Sequence, residues 1–97
     1  MSTVSSSVPV AVRHLGQKIG LLAGYGRFPL IVADALRAQG YEVYCLGVRR
    51  SADLELLRGH VDHLDQVGLA QLGKAIRYFR RRGVTQVTMA GKVHKVQ

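Results

Sequence analysis

Short apolar runs alternate with longer amphipathic segments along most of this chain. Residues Lys18–Ala23 are apolar on both faces, as in a buried strand of a parallel sheet, and are predicted as the first strand. A helix is predicted over residues 29–39, where leucine, isoleucine and alanine recur at helical spacing and Gly40 is placed to end it. Residues 41–48 are rich in β-branched and aromatic side chains and are predicted as the second strand.

The second half of the chain continues this alternation. A short helix is predicted over residues 51–58, with Ser51 as its cap, and a brief third strand over residues 63–67. A second long helix is predicted over residues 69–82 from apolar residues at helical spacing, namely Leu69, Leu72, Ile76 and Phe79. A glycine ends this helix, and residues 84–90 are predicted as the last strand. The order β-α-β-(α)-β-α-β predicts an α/β fold, a Rossmann-like doubly wound, mostly parallel sheet.

Two predicted strand ends carry small residues and form the candidate binding site. The first strand is followed by Gly24-Tyr25-Gly26-Arg27 and then by Pro29, which suits the first turn of a helix. Glycines let the backbone approach a ligand, and the free N–H groups of a helix start face an anion. Because doubly wound sheets bind ligands at the carboxyl ends of their strands, both ends are predicted to frame one nucleotide-type pocket, offering bare amides to a phosphate. The candidate substrate-binding residues are Gly24, Tyr25, Gly26, Arg27, Ala90, Gly91 and Lys92.

The glycine turn departs from the two best-known phosphate motifs. The dinucleotide fingerprint requires glycine or alanine where Pro29 stands, and a Walker A loop would need Gly-Lys-Ser or Gly-Lys-Thr after the turn. Arg27 is a possible charged donor to an anion. A tight strand-to-helix turn without a ligand is the alternative, in which Tyr25 covers the sheet and Lys92 is a solvated lysine.

The amino-acid composition limits the kinds of partner that this protein is expected to bind. Lys plus Arg number 14 against 6 Asp plus Glu, a formal charge of +8 that favours anionic partners. No tryptophan is present and no aromatics interleave the basic run, so nucleic acid is not an expected partner. The four arginines near the end of the second long helix are interpreted as complementing its dipole, namely Arg77, Arg80, Arg81 and Arg82. The single cysteine, Cys45, is interpreted as a buried small hydrophobe.

The domain organisation predicted from 97 residues is a flexible tail over residues 1–17 and one small domain over residues 18–97. No signal peptide or membrane span is predicted, so a cytoplasmic location is expected. A metal hypothesis for the segment His60-Val61-Asp62-His63-Leu64-Asp65 is weaker than a polar loop, because its spacing fits no closed zinc site. No metal ligand and no catalytic residue is predicted, and neither His14 nor His94 has an expected partner.

These residues resemble the N-terminal domain of the two-domain UDP-2,3-diacylglucosamine pyrophosphatase family of lipid A biosynthesis. The resemblance runs from about Lys18 to Val93. The resemblance rests on three segments: residues 19–29, Leu72-Gly73-Lys74, and Gly83-Val84 followed by Met89-Ala90-Gly91-Lys92-Val93. A magnesium-dependent hydrolase is implied, one that cleaves its UDP-sugar lipid substrate to UMP and 2,3-diacylglucosamine 1-phosphate. The candidate residues would contact the nucleotide-sugar portion.

The resemblance also implies what the chain would lack. The family's acidic, metal-linked catalytic residues lie in a C-terminal domain, so the domain over residues 18–97 is expected to be incomplete, truncated at its C-terminus and inactive alone. Its expected associations are with the missing domain or with further copies of itself, and with the inner membrane face as a peripheral contact.

Two other functions stay open. An NADP-binding module of an oxidoreductase is one, because the second strand ends Val48-Arg49-Arg50-Ser51 and arginine at that place suits a 2′-phosphate. Pro29 in place of the third glycine argues against it. The other is a basic, non-catalytic Rossmann-like interaction module.

Overall fold

A computed structural model describes residues 14–92 and confirms the predicted α/β fold. The predicted tail up to residue 13, Val93 and His94 lie outside the described residues. The elements in chain order are β1 (Lys18–Ala23), α1 (Phe28–Ala38), β2 (Glu42–Val48), α2 (Leu54–Arg58), β3 (His63–Val67), a 3₁₀ turn (Leu69–Gln71), α3 (Leu72–Arg81) and β4 (Val87–Ala90).

The four strands form one all-parallel sheet in the order β3-β2-β1-β4. Both faces of its two central strands are covered, which explains why their sequences are apolar throughout instead of alternating. One face carries Leu21, Val43 and Cys45, which pack with residues of α1 and α2. The other carries Leu22 and Leu46, which pack in one cluster with residues of α3. The sheet therefore sits between two helical layers, as the doubly wound prediction requires.

Both long helices end in the same backbone motif. Gly40 and Gly83 follow the ends of α1 and α3 with φ of 96° and 76°, in the region that favours glycine. The next residue donates its N–H back into the last turn, from Tyr41 to the Leu36 carbonyl at 3.2 Å and from Val84 to the Phe79 carbonyl at 2.9 Å. The predicted role of the two glycines is confirmed.

Two predicted boundaries are wrong. Asp53, and not Ser51, caps α2: its carboxylate accepts the Leu56 N–H at 3.2 Å, whereas Ser51 is buried before the helix. The last strand begins at Val87 instead of residue 84, because Val84 belongs to the end of α3 and is buried in the same cluster as Phe79.

The turn before β1 packs on the domain. The His14 N–H donates to the Gln39 carbonyl at 3.2 Å, and its ring stacks on Tyr41 with centroids 4.4 Å apart. The prediction that His14 has no partner is wrong. The His14 ring also contacts the Gln17 side chain at 3.2 Å. Gln39 and Tyr41 lie 25 and 27 positions away in the chain, where sequence spacing gives no indication of contact. Within residues 14–92, no helix has the length and apolarity needed to cross a bilayer.

Candidate functional site

The two small-residue strand ends meet on one edge of the sheet, as predicted. β1 and β4 are neighbours in the sheet. Helix α1, which follows β1, and helix α3, which precedes β4, pack on opposite faces, so the strand order switches between β1 and β4. The Gly24 N–H donates to the Ala90 carbonyl at 2.8 Å. Tyr25 and Lys92 exchange two backbone hydrogen bonds, one of them from the Lys92 N–H to the Tyr25 carbonyl at 3.0 Å. We call the residues 24–28 and 90–92 the corner.

The prediction that the corner offers its amides to a phosphate is wrong for Gly24, Tyr25 and Lys92. Their N–H groups are already bonded across the corner, because the two strand ends approach closely enough to pair. Within residues 14–92, the N–H groups of Gly26, Arg27 and Phe28 have no such backbone partner. These three amides, at the start of α1, are the ones that can reach an anion.

The three glycines of the corner are needed for different reasons. A Cβ on Gly91 would lie 2.8 Å from the Gly24 carbonyl carbon and 2.8 Å from Pro29 Cγ, and a Cβ on Gly24 would meet the Lys92 carbonyl oxygen. The two backbones thus require glycine at both places to pack on each other. Gly26 has φ of 105° but open space around its absent Cβ. Of these three glycines, Gly26 is the one whose absent Cβ leaves open space beside the backbone.

A shallow pocket of about 390 Å³ opens at the corner. Its lining residues are Tyr25, Gly26, Arg27, Phe28, Gly91 and Lys92. Gly24 and Ala90, also predicted as binding residues, are buried beneath it and bonded to each other. Phe28 is the residue that sequence reasoning missed. Its ring is 60% exposed at the start of a helix, and the signal was a large apolar side chain outside the apolar stripe.

The groups that line the corner pocket carry positive charge and aromatic surface. Arg27 and Lys92 supply positive charge, and the start of α1 adds the positive end of the helix dipole. Tyr25 and Phe28 add exposed aromatic surface that a base or ring can cover. Among residues 14–92, no His, Cys, Asp or Glu lines this pocket.

The residues described do not fit a magnesium site. Within residues 14–92, no three His, Cys, Asp or Glu side chains come together. The residues of the metal hypothesis go to separate partners: His60 contacts Asp34 at 2.7 Å, and His63 contacts Glu42 at 2.6 Å. Asp62 accepts a backbone N–H of β2 at 2.8 Å. The hydrogen bond from His63 holds the pKa of the Glu42 carboxyl below its usual value.

A second depression lies on the same edge of the sheet, where β2 and β3 end. It has a volume of about 580 Å³ and is lined by Arg49, Arg50, Gly68, Leu69, Ala70 and Gln71. Arg50 has φ of 71°, a conformation that is strained for a residue with a Cβ. Two strand spacings, about 10 Å, separate this depression from the corner pocket.

Cys45 lies in the core at 0% exposure, and burial raises the pKa of its thiol to about 12. The thiol is therefore protonated at neutral pH. The interpretation of Cys45 as a small hydrophobe instead of a nucleophile is confirmed.

Comparison with known proteins adds one match. The family described as LpxI N-terminal domain matches residues 18–97, which is most of the chain and includes every element of the sheet. No match was found among curated proteins or among solved structures.

Proposed function

Because the chain belongs to the LpxI N-terminal domain family, a domain of a lipid A pathway protein, we propose that it forms the nucleotide-binding part of a UDP-2,3-diacylglucosamine diphosphatase. In that role the corner pocket takes the diphosphate and adjoining groups of the UDP-sugar lipid. The products of the whole reaction are UMP and 2,3-diacylglucosamine 1-phosphate.

The observation that carries this proposal is the corner itself. Strand order brings two distant segments to the switch point of a doubly wound sheet, where such folds bind ligands. Of the residues that the structure describes, those lining the pocket supply two cationic side chains and three amides without backbone partners, and none of them is a carboxylate. A diphosphate carries the charge and the acceptor oxygens that this set of donors favours.

The corner binds and orients but holds no group for the hydrolytic step. The proposal therefore assigns the cleavage, and the magnesium that the family resemblance implies, to residues other than those described. The 97-residue chain alone is expected to release no UMP from UDP-2,3-diacylglucosamine in the presence of magnesium. Steady turnover by the purified chain would contradict this division of roles.

Binding is tested by thermal unfolding with UMP, a UDP-sugar and NADPH side by side. A ligand present at one hundred times its dissociation constant stabilises the folded state by about 2.7 kcal/mol. We expect the UDP-sugar to stabilise the protein, and the double substitution Arg27→Gln with Lys92→Gln to remove most of this effect. Arg58→Gln with Arg80→Gln is the matched control, because it also removes two positive charges and both residues lie outside the corner pocket. Equal loss in the control, or no stabilisation by either uridine ligand, would refute the proposal.

One observation favours a second candidate, an NADP-binding module. Arg49 and Arg50 line a depression at the end of β2, the place where arginine suits a 2′-phosphate. In the same experiment, stabilisation by NADPH alone, lost in Arg49→Gln, would favour this candidate over the uridine ligand.

A further inference from the structure

A groove runs between α3 and the edge strand β3, away from the corner. Its volume is about 460 Å³, within the range of small-molecule sites. Lys74 lies three and four residues before Arg77 and Tyr78, and Arg81 lies four and three residues after them, so the four side chains form one stripe along α3 that lines the groove. Gln71 and Arg82 lie at its two ends, and none of the lining residues among those described is a carboxylate. We call this the α3 groove.

The cations of the α3 groove are not neutralised within residues 14–92. Within residues 14–92, none of the six acidic side chains of the protein forms an ion pair with Lys74, Arg77 or Arg81. Four contact cationic or histidine side chains outside the groove, namely Asp34, Glu42, Glu55 and Asp62. Asp53 caps α2. Asp65 is the nearest of the six to the groove: it accepts the N–H of Gln66 at 2.8 Å, and its charge adds to the burial that raises the pKa of Tyr78. Lys74, Arg77 and Arg81 therefore present their charge to whatever enters the groove.

The dipole of α3 accounts for only part of this charge. Lys18 Nζ donates to the Arg82 carbonyl at 2.8 Å, and Arg82 donates to the Tyr78 carbonyl at 3.3 Å. The Arg82 guanidinium also lies over the Tyr78 ring at 3.7 Å. Arg80 and Arg81 lie in the last turn, where their charge complements the dipole as predicted from the sequence. Lys74 lies in the first turn and Arg77 in the middle of the helix, so the dipole does not explain these two cations of the groove.

We infer that the α3 groove is an anion-binding site, separate from the corner, for a small ligand that carries one or more phosphate groups. Guanidinium groups bind phosphate through paired hydrogen bonds, and Lys74 adds a third positive charge on the same stripe. A concave groove suits a discrete ligand better than a flat membrane surface. The phosphate could be that of a soluble metabolite or of a lipid headgroup. This inference does not depend on the proposed function of the corner.

The test is a residue-resolved titration of the ¹⁵N-labelled chain with inorganic pyrophosphate at low salt. Amide shifts along α3 and β3 report the groove, whereas the amides of Gly26 and Arg27 report the corner, so the two sites fail or succeed separately. We expect saturable shifts in the groove that weaken about tenfold or more in the double variant Arg77→Gln with Arg81→Gln. The control Arg58→Gln with Arg80→Gln removes the same charge from cations outside the groove and should stay within about twofold of the wild type.

Further arms distinguish the source of the phosphate. Glycerol 3-phosphate tests a soluble ligand. Vesicles that contain phosphatidic acid, compared with phosphatidylcholine vesicles, test a lipid headgroup. Binding in either experiment that depends on Arg77 and Arg81 supports the site. Three results would overturn it. The first is that pyrophosphate causes no amide shifts in the groove. The second is that the groove variant and the control variant lose affinity for pyrophosphate equally. The third is that a single-stranded oligonucleotide shifts the groove amides at concentrations where pyrophosphate does not.

Discussion

Gly91→Ala tests whether the corner is held together by the close approach of two backbones. The added Cβ would lie 2.8 Å from the Gly24 carbonyl carbon and 2.8 Å from Pro29 Cγ, and residue 91 has φ of 94°. Positive φ costs a residue with a Cβ about 1–2 kcal/mol, and overpacking costs about 1–3 kcal/mol more. The expected loss in the free energy of unfolding is therefore about 2–5 kcal/mol. That is a large share of the roughly 5–15 kcal/mol typical of a whole domain.

Urea unfolding followed by circular dichroism measures this loss. With a slope of about 1 kcal/mol per molar urea, the midpoint should fall by about 2 M or more. Gly16→Ala is the matched control, because Gly16 has φ of 82° but nothing within 4 Å of an added Cβ. The control carries the backbone strain and the change in unfolded-state entropy without the clash. Equal midpoints for the two variants would refute the argument that the strand ends pack on each other.

Three other outcomes follow from the fold. Phe79→Ala should lower the free energy of unfolding by about 3–5 kcal/mol, because the ring is buried against Gly20; a change below 1 kcal/mol in urea unfolding would contradict this packing. Glu42→Gln should destabilise the protein by less than about 1 kcal/mol at neutral pH, since the pair with His63 is exposed. The pKa of Glu42 is lowered on folding, so the difference from the wild type should be present above pH 4.5 and shrink as the pH falls below it; unfolding curves from pH 7 to 3 that stay parallel would refute this. Cys45 should not react with a thiol reagent in the folded protein at pH 8, and should react fully in denaturant. Rapid labelling without denaturant would show that the core opens there.

The helices and strands of this protein could be predicted because each is encoded by its own local pattern. β1 and β2 are buried on both faces and read as continuous apolar runs, and the glycines after α1 and α3 fit a conformation that few other residues adopt. The cap of α2 was misjudged because Ser51 and Asp53 are both capping residues. Only the fold shows that Ser51 is buried before the helix begins.

For the candidate site, the sequence predicts only that the two small-residue strand ends meet, and the fold confirms that meeting. Glycines after β1 and β4 indicate a close approach, but the sequence does not say whether a ligand or another backbone makes it. At Gly24 and Gly91 it is the backbone, and only Gly26 faces open space. The α3 groove depends on where β3 lies beside the helix, which spacing along one helix does not reveal.

The pairing of Tyr25 with Lys92 has a consequence for evolution and engineering. The backbone path of the corner is fixed by main-chain hydrogen bonds between residues 24–25 and residues 90–92, so it does not depend on which side chains stand at positions 27, 28 and 92. A change of side chain at these positions alters the surface of the corner and leaves the backbone beneath it in place. The three positions can therefore be varied one substitution at a time without redesigning the scaffold.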